Sequence, residues 1–239
     1  RGHMPIELTC FCARCIGLFE EETGLFAQNS MEATRENIML LFNNQDIKLR
    51  QAAREAWLSH NRASIAKLFS HIESVVHSVN PDIVLGFMTG ERFYEGFDFD
   101  GWADKLKGPA PEVRWRPGGG FYNDERPGDA LEKANQIGRQ CAYLPSFVNK
   151  IQSEIENFPY HMLCKSVRVT IYEAALHMAA GCTGSAFNVL PMDSEPISEH
   201  EAFFAAAAEK RPFFDALADT FSRSEPIGIG PMWDKNSAA

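Results

Sequence analysis

Apolar residues recur at helical spacing through Ile65, Leu68, Phe69, Ile72, Val75, Val76 and Val79, which predicts a long amphipathic helix over residues 49–79. Asn80-Pro81 ends it, because proline excludes the helical conformation from the residue before it. The run Ile83-Val84-Leu85-Gly86-Phe87-Met88 then reads as a strand apolar on both faces, which calls for cover on both faces. The cycle repeats. Val113 to Arg116 reads as a strand entering a loop over residues 117–124. Asp129 with Glu132 marks a capping-box start for a helix through Leu131, Ala134, Ile137 and Cys141. Residues 150–157 read as a third strand. Ser166 caps a helix that Gly181 stops, and residues 185–190 read as a fourth strand. Ser198 with Glu201 opens an alanine- and phenylalanine-rich helix. Pro212 is expected to break it before a further helix through Phe213, Leu217 and Phe221.

Four strands alternating with helices imply an α/β fold with a parallel sheet. No Gly-x-Gly-x-x-Gly follows a strand, so nucleotide binding at a helix start has no support. The run Gly118-Gly119-Gly120 follows a strand without opening a helix and reads as a turn, or as room for a ligand. The other architecture is part of a (β/α)8 barrel. A complete barrel takes about 250 residues, and here much of the length precedes the first clear strand. About half a barrel fits, roughly strands five to eight, with the N-terminal half expected upstream. Residues 1–223 then form the partial barrel with a cysteine knuckle at its start, and residues 224–239 an exit segment. Arg1-Gly2-His3-Met4 reads equally as a cloning remnant or as native sequence.

Composition changes this picture little. The 239 residues are 45% hydrophobic and 23% charged, as in an ordinary globular protein. A net charge of -9 argues against a nucleic-acid partner, because phosphate binding needs a basic face. No apolar window is long enough for a bilayer, so no membrane partner is expected. Three cysteines clustered and three scattered (Cys141, Cys164, Cys182) do not make a disulfide framework, which points to a reducing, cytoplasmic setting.

Two features carry chemistry. Cys10, Cys12 and Cys15 place three soft ligands within six residues, a set that can close on one tetrahedral zinc. A structural zinc is the expected cofactor, with no organic cofactor. An iron–sulfur cluster is disfavoured by the spacing. The second feature is the strand Lys150-Ile151-Gln152-Ser153-Glu154-Ile155-Glu156-Asn157. Side chains alternate along a strand, so Ile151 and Ile155 share one face while Glu154 and Glu156 share the other. In a barrel the isoleucines pack under helices and both carboxylates line the lumen, with Glu156 nearer the C-terminal mouth, where barrel active sites sit. Phe158 and Tyr160 add aromatic rings just beyond, as do Phe93, Tyr94, Phe121 and Tyr122 after other strands. The bland alternative is a strand whose polar face is simply wet.

These residues resemble a family. Cys-x-Cys-x-x-Cys followed four residues on by Phe19 resembles the segment after the fourth strand of clan A glycoside hydrolases, in particular the family 42 β-galactosidases and their uncharacterised relatives. The resemblance follows the order of elements over roughly residues 6–190. It implies a (β/α)8 barrel, retention of anomeric configuration, two glutamates, and a structural zinc on the cysteine triplet plus one upstream cysteine. Glu156-Asn157-Phe158-Pro159 matches the family's Glu-x-x-Pro, so the nucleophile's role falls on Glu156, with Glu154 as fallback or orienting neighbour. The stretch Ser153 to Ser166, with Asn157, Lys165 and Ser166, also resembles hypothetical proteins related to these enzymes. Glu91, Tyr122, Asn157 and Asn188 are the candidates for binding sugar hydroxyls, and Arg116 is read as a polar loop residue. The family's acid/base lies in an Asn-Glu pair ahead of the cysteines. No such pair precedes Cys10, and Glu7 does not match.

The expected activity is therefore hydrolysis of a β-linked sugar by a retaining mechanism. The alternatives are a barrel that binds carbohydrate without chemistry, and a zinc-stabilised module for protein interaction. Half a barrel has two open edges, which predicts aggregation, self-association or a need for the remaining strands.

Overall fold

Helix formation begins directly at the cysteine run. The computed structural model describes residues 9–89, 97–161, 163–191 and 195–222. It contains helices α1 (Ala13–Thr23), α2 (Leu25–Gln28), α3 (Arg35–Phe42) and α4 (Ile47–Val79), followed by strand β1 (Gly86–Met88). Helix α5 (Phe99–Lys107), β2 (Arg114–Arg116), α6 (Gly128–Ala142), β3 (Lys150–Glu156), α7 (Val167–Ala179), β4 (Gly184–Asn188) and α8 (Glu201–Phe221) come next. The chain divides into two compact units.

The first unit covers residues 9–72 and 97–102 of those described. Its core joins Ile16 and Phe19 of α1, Phe26 of α2, Ile38, Leu41 and Phe42 of α3, and Ala53 and Trp57 of α4. Phe11 stacks on Trp57 with ring centroids 5.1 Å apart, and Phe19 meets the same indole edge-on at 4.9 Å. Aromatic contacts of this kind each add about 0.5–1.5 kcal/mol beyond their area burial.

The second unit holds the sheet. Its four strands are parallel and lie in the order β1-β2-β3-β4. The expected α/β class with alternating helices is therefore present. Along β3, Ile151, Ser153 and Ile155 are buried, while Lys150 and Gln152 are exposed and Glu154 and Glu156 half-buried. Ile155 packs on Ala174 and Met178 of α7 and on Phe214 of α8. The isoleucine face is thus the one under helices, as the alternation requires. Paired residues of neighbouring parallel strands share a face, so Met88, Arg116, Glu154, Glu156 and Asn188 all fall on the other one. Among the described residues that face is open, and the four strands do not close on themselves.

Several local expectations are corrected. Helix α4 has the predicted extent and stops before Asn80, but of the apolar stripe only Phe69 is buried. Leu68, Ile72, Val75 and Val79 stay exposed, and the buried positions are earlier, at Ala53, Trp57 and Leu58. β1 is shorter than expected and not covered on both faces: among the described residues it is an edge strand, with Ile83 40% and Met88 52% exposed. Helix α6 starts at Gly128 with Pro127 as its N-cap, so Asp129 lies inside the first turn and caps nothing. Ser198 sits in a 3-10 turn (Ile197–His200) that leads into α8 and is not a cap either. Pro212 does not break α8, because Phe203 before it and Phe214 after it are both buried and hold the helix to the unit across the missing donor. Ser166 does cap α7, accepting from the Val169 N–H at 3.3 Å, and Gly181 follows with φ 111°. No helix among the described residues is long and apolar enough to cross a membrane. The expected exit segment over residues 224–239 lies outside the described residues.

Candidate functional site

Glu156 ends β3 and pairs in register with Asn188, the last residue of β4. Beyond it, residues 157–160 make a tight turn closed by the Tyr160 N–H on the Asn157 carbonyl at 2.6 Å, with a cis bond between Phe158 and Pro159. Tyr160 has φ 69°, a left-handed conformation unfavourable for a bulky residue. That conformation brings its hydroxyl within 3.4 Å of Glu156 Oε1. Asn188 Nδ2 donates to the Tyr160 oxygen at 2.9 Å and lies 3.3 Å from the same Glu156 oxygen. One carboxylate oxygen therefore faces two donors, one from each side of the β3–β4 rim. Burial, and then the charge of Glu156, push the Tyr160 phenol upward, so it stays a donor at neutral pH.

Glu154 lies one pleat deeper on the same face. Arg116 of β2 reaches its Oε1 at 3.2 Å. Arg116, expected to be an idle loop residue, thus joins the face. Phe158 is 57% exposed, with its ring 6.2 Å from Tyr122 and 5.6 Å from Tyr160. The three rings make an aromatic group at the same strand ends. Asn157 does not join the carboxylates: it is buried and turned the other way, donating to Thr170 of α7 at 3.1 Å. Glu91, Phe93 and Tyr94 lie outside the described residues. A broad depression of about 1390 Å³, lined by Gly138, Leu144, Ile151, Thr183 and Phe221, opens at the opposite end of the strands, away from both glutamates.

Beneath the rim lies a group the sequence reasoning missed. Lys133 of α6 and Lys165, just before α7, both contact Glu173 of α7, each at 2.8 Å and on separate oxygens. His177, one turn along α7, is buried against them with Nε2 4.0 Å from Glu173. Burial, and then the two ammonium charges, hold His177 well below the usual histidine range, so it is neutral. Burial also lowers the Lys165 ammonium, with Glu173 opposing the shift. A signal for this group was available. Thr170, Glu173, Ala174, His177 and Met178 fall on one face at helical spacing, which puts polar residues on the core side of α7. The glycine run has its explanation here as well. A Cβ at Gly119 would stand 2.9 Å from Lys133 Cγ, so the room it leaves is filled by a lysine rather than a ligand.

The cysteines form a separate candidate site in the first unit. Trp57 Nε1 donates to Thr9 Oγ1 at 2.8 Å, and the Phe11 ring stacks on the indole, which pins the chain on either side of Cys10. The Sγ atoms of Cys10, Cys12 and Cys15 all lie within 4.8 Å of one another. A tetrahedral ion with metal–sulfur bonds of about 2.3 Å holds its thiolates about 3.8 Å apart, so small side-chain rotations suffice. Cys12 is the N-cap of α1. The backbone N–H of Cys15, then the neighbouring thiols, lower it to about 7, while Cys15 is pushed up to about 11 by its hydrogen bond to Cys12. The set can bind a metal ion.

The fold and rim define a parallel α/β protein with a carboxylate-bearing strand end. Compared with protein-family models, curated proteins and solved structures, the chain matches none.

Proposed function

We propose that this chain carries the nucleophile half of a retaining glycoside hydrolase of the (β/α)8 type, acting on a β-linked sugar. One observation carries the reading. Glu156 stands at the C-terminal end of a parallel strand, on the face away from the helices, with Tyr160 and Asn188 both directed at one of its oxygens. Two donors on one oxygen hold the carboxylate in place and, among the described residues, leave its other oxygen for attack. The strand order also supports a barrel. Sequential parallel strands joined by right-handed crossovers put every helix on one face, and curling such a sheet encloses the opposite, polar face.

In the mechanism, Glu156 attacks the anomeric carbon and forms a glycosyl-enzyme, which water then hydrolyses. The leaving oxygen takes its proton from a second carboxyl group ~5–5.5 Å away, assigned to no residue among those described. Asn188 and Tyr160 orient the nucleophile. Arg116 neutralises Glu154, which leaves Glu156 as the reactive carboxylate of the strand. Phe158, Tyr122 and Tyr160 offer ring faces for the C–H surfaces of a sugar. The cysteine triplet would hold a structural zinc with one further ligand.

The decisive experiment uses the full-length protein and an activated 2-deoxy-2-fluoro β-glycoside, which traps the glycosyl-enzyme. A mass adduct on the peptide holding Glu156 is expected. Glu156→Gln abolishes both adduct and turnover with the melting temperature nearly unchanged. Turnover persisting in that variant removes Glu156 from the mechanism. Metal analysis of protein purified without chelator is expected to return one zinc per chain, and a value near zero reduces the cysteines to ordinary thiols.

A further inference from the structure

The register between β2 and β3 ends at Trp115↔Ile151. Along β3, the Ile151 carbonyl accepts from the Thr183 N–H at 2.8 Å, and the Asn157 N–H donates to the Asn188 carbonyl at 3.2 Å. Odd-numbered residues thus turn their backbone groups toward β4. By alternation, Glu154 and Glu156 turn their carbonyls toward β2, beyond the point where that strand still pairs with β3. Backbone carbonyls inside a fold need donors. Lys133 Nζ supplies one to Glu154 O at 2.6 Å, and Lys165 Nζ supplies one to Glu156 O at 2.8 Å. Lys165 also donates to the carbonyl of Phe121, on the segment leaving β2, and so bridges the gap between the two strands. Glu173 ties the two ammonium groups together, and no side chain of the three is more than 2% exposed. Lys165 has three acceptors for its three N–H bonds.

We propose that Lys133, Glu173 and Lys165 form a buried clamp that replaces the lost β2–β3 ladder and positions the end of β3, and with it the Glu156 carboxylate. Buried ions are weak devices for stability, since apolar side chains of the same volume often do as well. What they add here is direction: each ammonium fixes a particular carbonyl of the residues that bear the two carboxylates. The lysines are positioning residues, acting through the backbone. Their effect on turnover rests on the hydrolase reading, while their effect on the strand does not.

The test replaces each lysine by methionine in the full-length protein. Either variant leaves one ammonium facing one carboxylate, a neutral buried pair, so folding is expected to survive. Amide hydrogen exchange is followed by mass spectrometry, together with kcat and KM on an aryl β-glycoside. Lys165→Met is expected to speed exchange over residues 153–157 while α7 stays protected. It is also expected to lower kcat at least about tenfold with KM little changed, because a displacement of an ångström at a reacting group is worth that much or more. Lys133→Met, which frees only the Glu154 carbonyl, has the smaller effect on kcat. Parental exchange and kcat in folded Lys165→Met overturn the clamp. So does an equal rise in exchange across α6, α7 and β3, the mark of general loosening. If the parent protein hydrolyses no glycoside, the hydrolase reading fails and the exchange pattern alone decides the clamp. Should Lys165→Met not fold, the triple Lys133→Met/Glu173→Met/Lys165→Met variant, free of buried charge, is read in the same way.

Discussion

A single hydrogen atom at Gly119 decides whether Lys133 can reach β3. With Cγ of that lysine 2.9 Å from the position a Cβ would take, and both residues buried, an added methyl has no flexible end to push aside. Gly119→Ala is therefore expected to cost about 1–3 kcal/mol, the range for overpacking a filled interior, and urea denaturation measures it. A loss under about 0.5 kcal/mol, within the ordinary range for surface changes, would mean that Lys133 does not pass there. At this scale some of the site is legible in the sequence and some is not. Glu156 and Asn188 could be found because strand alternation fixes the face of each residue, and an asparagine on an otherwise apolar strand needs a partner. Lys133 could not, and Lys165 stood out only through the family resemblance and without a role, because a lone lysine is almost always exposed and only its neighbours in space reveal that it is paired. Tyr160 was visible as an aromatic ring. Its left-handed backbone, which carries its hydroxyl to Glu156, was not.

Elements were legible where one local force dominates. β3 follows from alternation alone, and α7 from Ser166, whose hydroxyl takes the Val169 N–H. Ser166→Ala is expected to lower stability by about 1 kcal/mol, as for loss of an N-cap. Ser166→Thr should retain most of it, since threonine caps as well and adds no charge beside the Asp124 carboxylate. Thermal melts of the two variants make the comparison, and equal losses would remove the cap from the account. Ser166 also gives its own N–H to Asp124 at 3.0 Å, so the α7 start is tied to the loop after β2 by backbone that neither substitution touches. The capping boxes at Asp129 and Ser198 failed for a shared reason. Pro127 and the 3-10 turn start their helices one to three residues away from the side chains that matched the pattern. Pro212 failed as a breaker because local propensity loses to burial on both sides of it. β1 failed as a strand buried on both faces because apolar composition cannot tell a central strand from an edge.

At the scale of the second unit, the buried cluster ties stability to pH. Folded, His177 stays neutral well below 6.5, while the unfolded chain protonates it near 6.5. Below that pH the unfolded state binds one more proton than the native state, so stability falls as pH falls, by at most about 1.4 kcal/mol per unit. Above it the contribution is constant. Lys133 and Lys165 act in the same direction as burial, and the Glu173 carboxylate 4.0 Å from Nε2 does not reverse them. His77 has the opposite sign. Glu73 raises it, so its contribution is present at low pH and lost as pH rises through its folded value. The parent's slope mixes the two, and subtraction separates them. His177→Met removes the buried imidazole and leaves His77 in place. Urea midpoints between pH 5 and 7.5 are expected to fall with acid more steeply in the parent than in His177→Met, with the two curves parallel above pH 7. Parallel curves throughout would mean that the imidazole takes its proton in the folded state, with Glu173 as its counter-ion. The folded cluster would then carry three cations around the one Glu173 carboxylate, and burial would not be what sets the charge of His177.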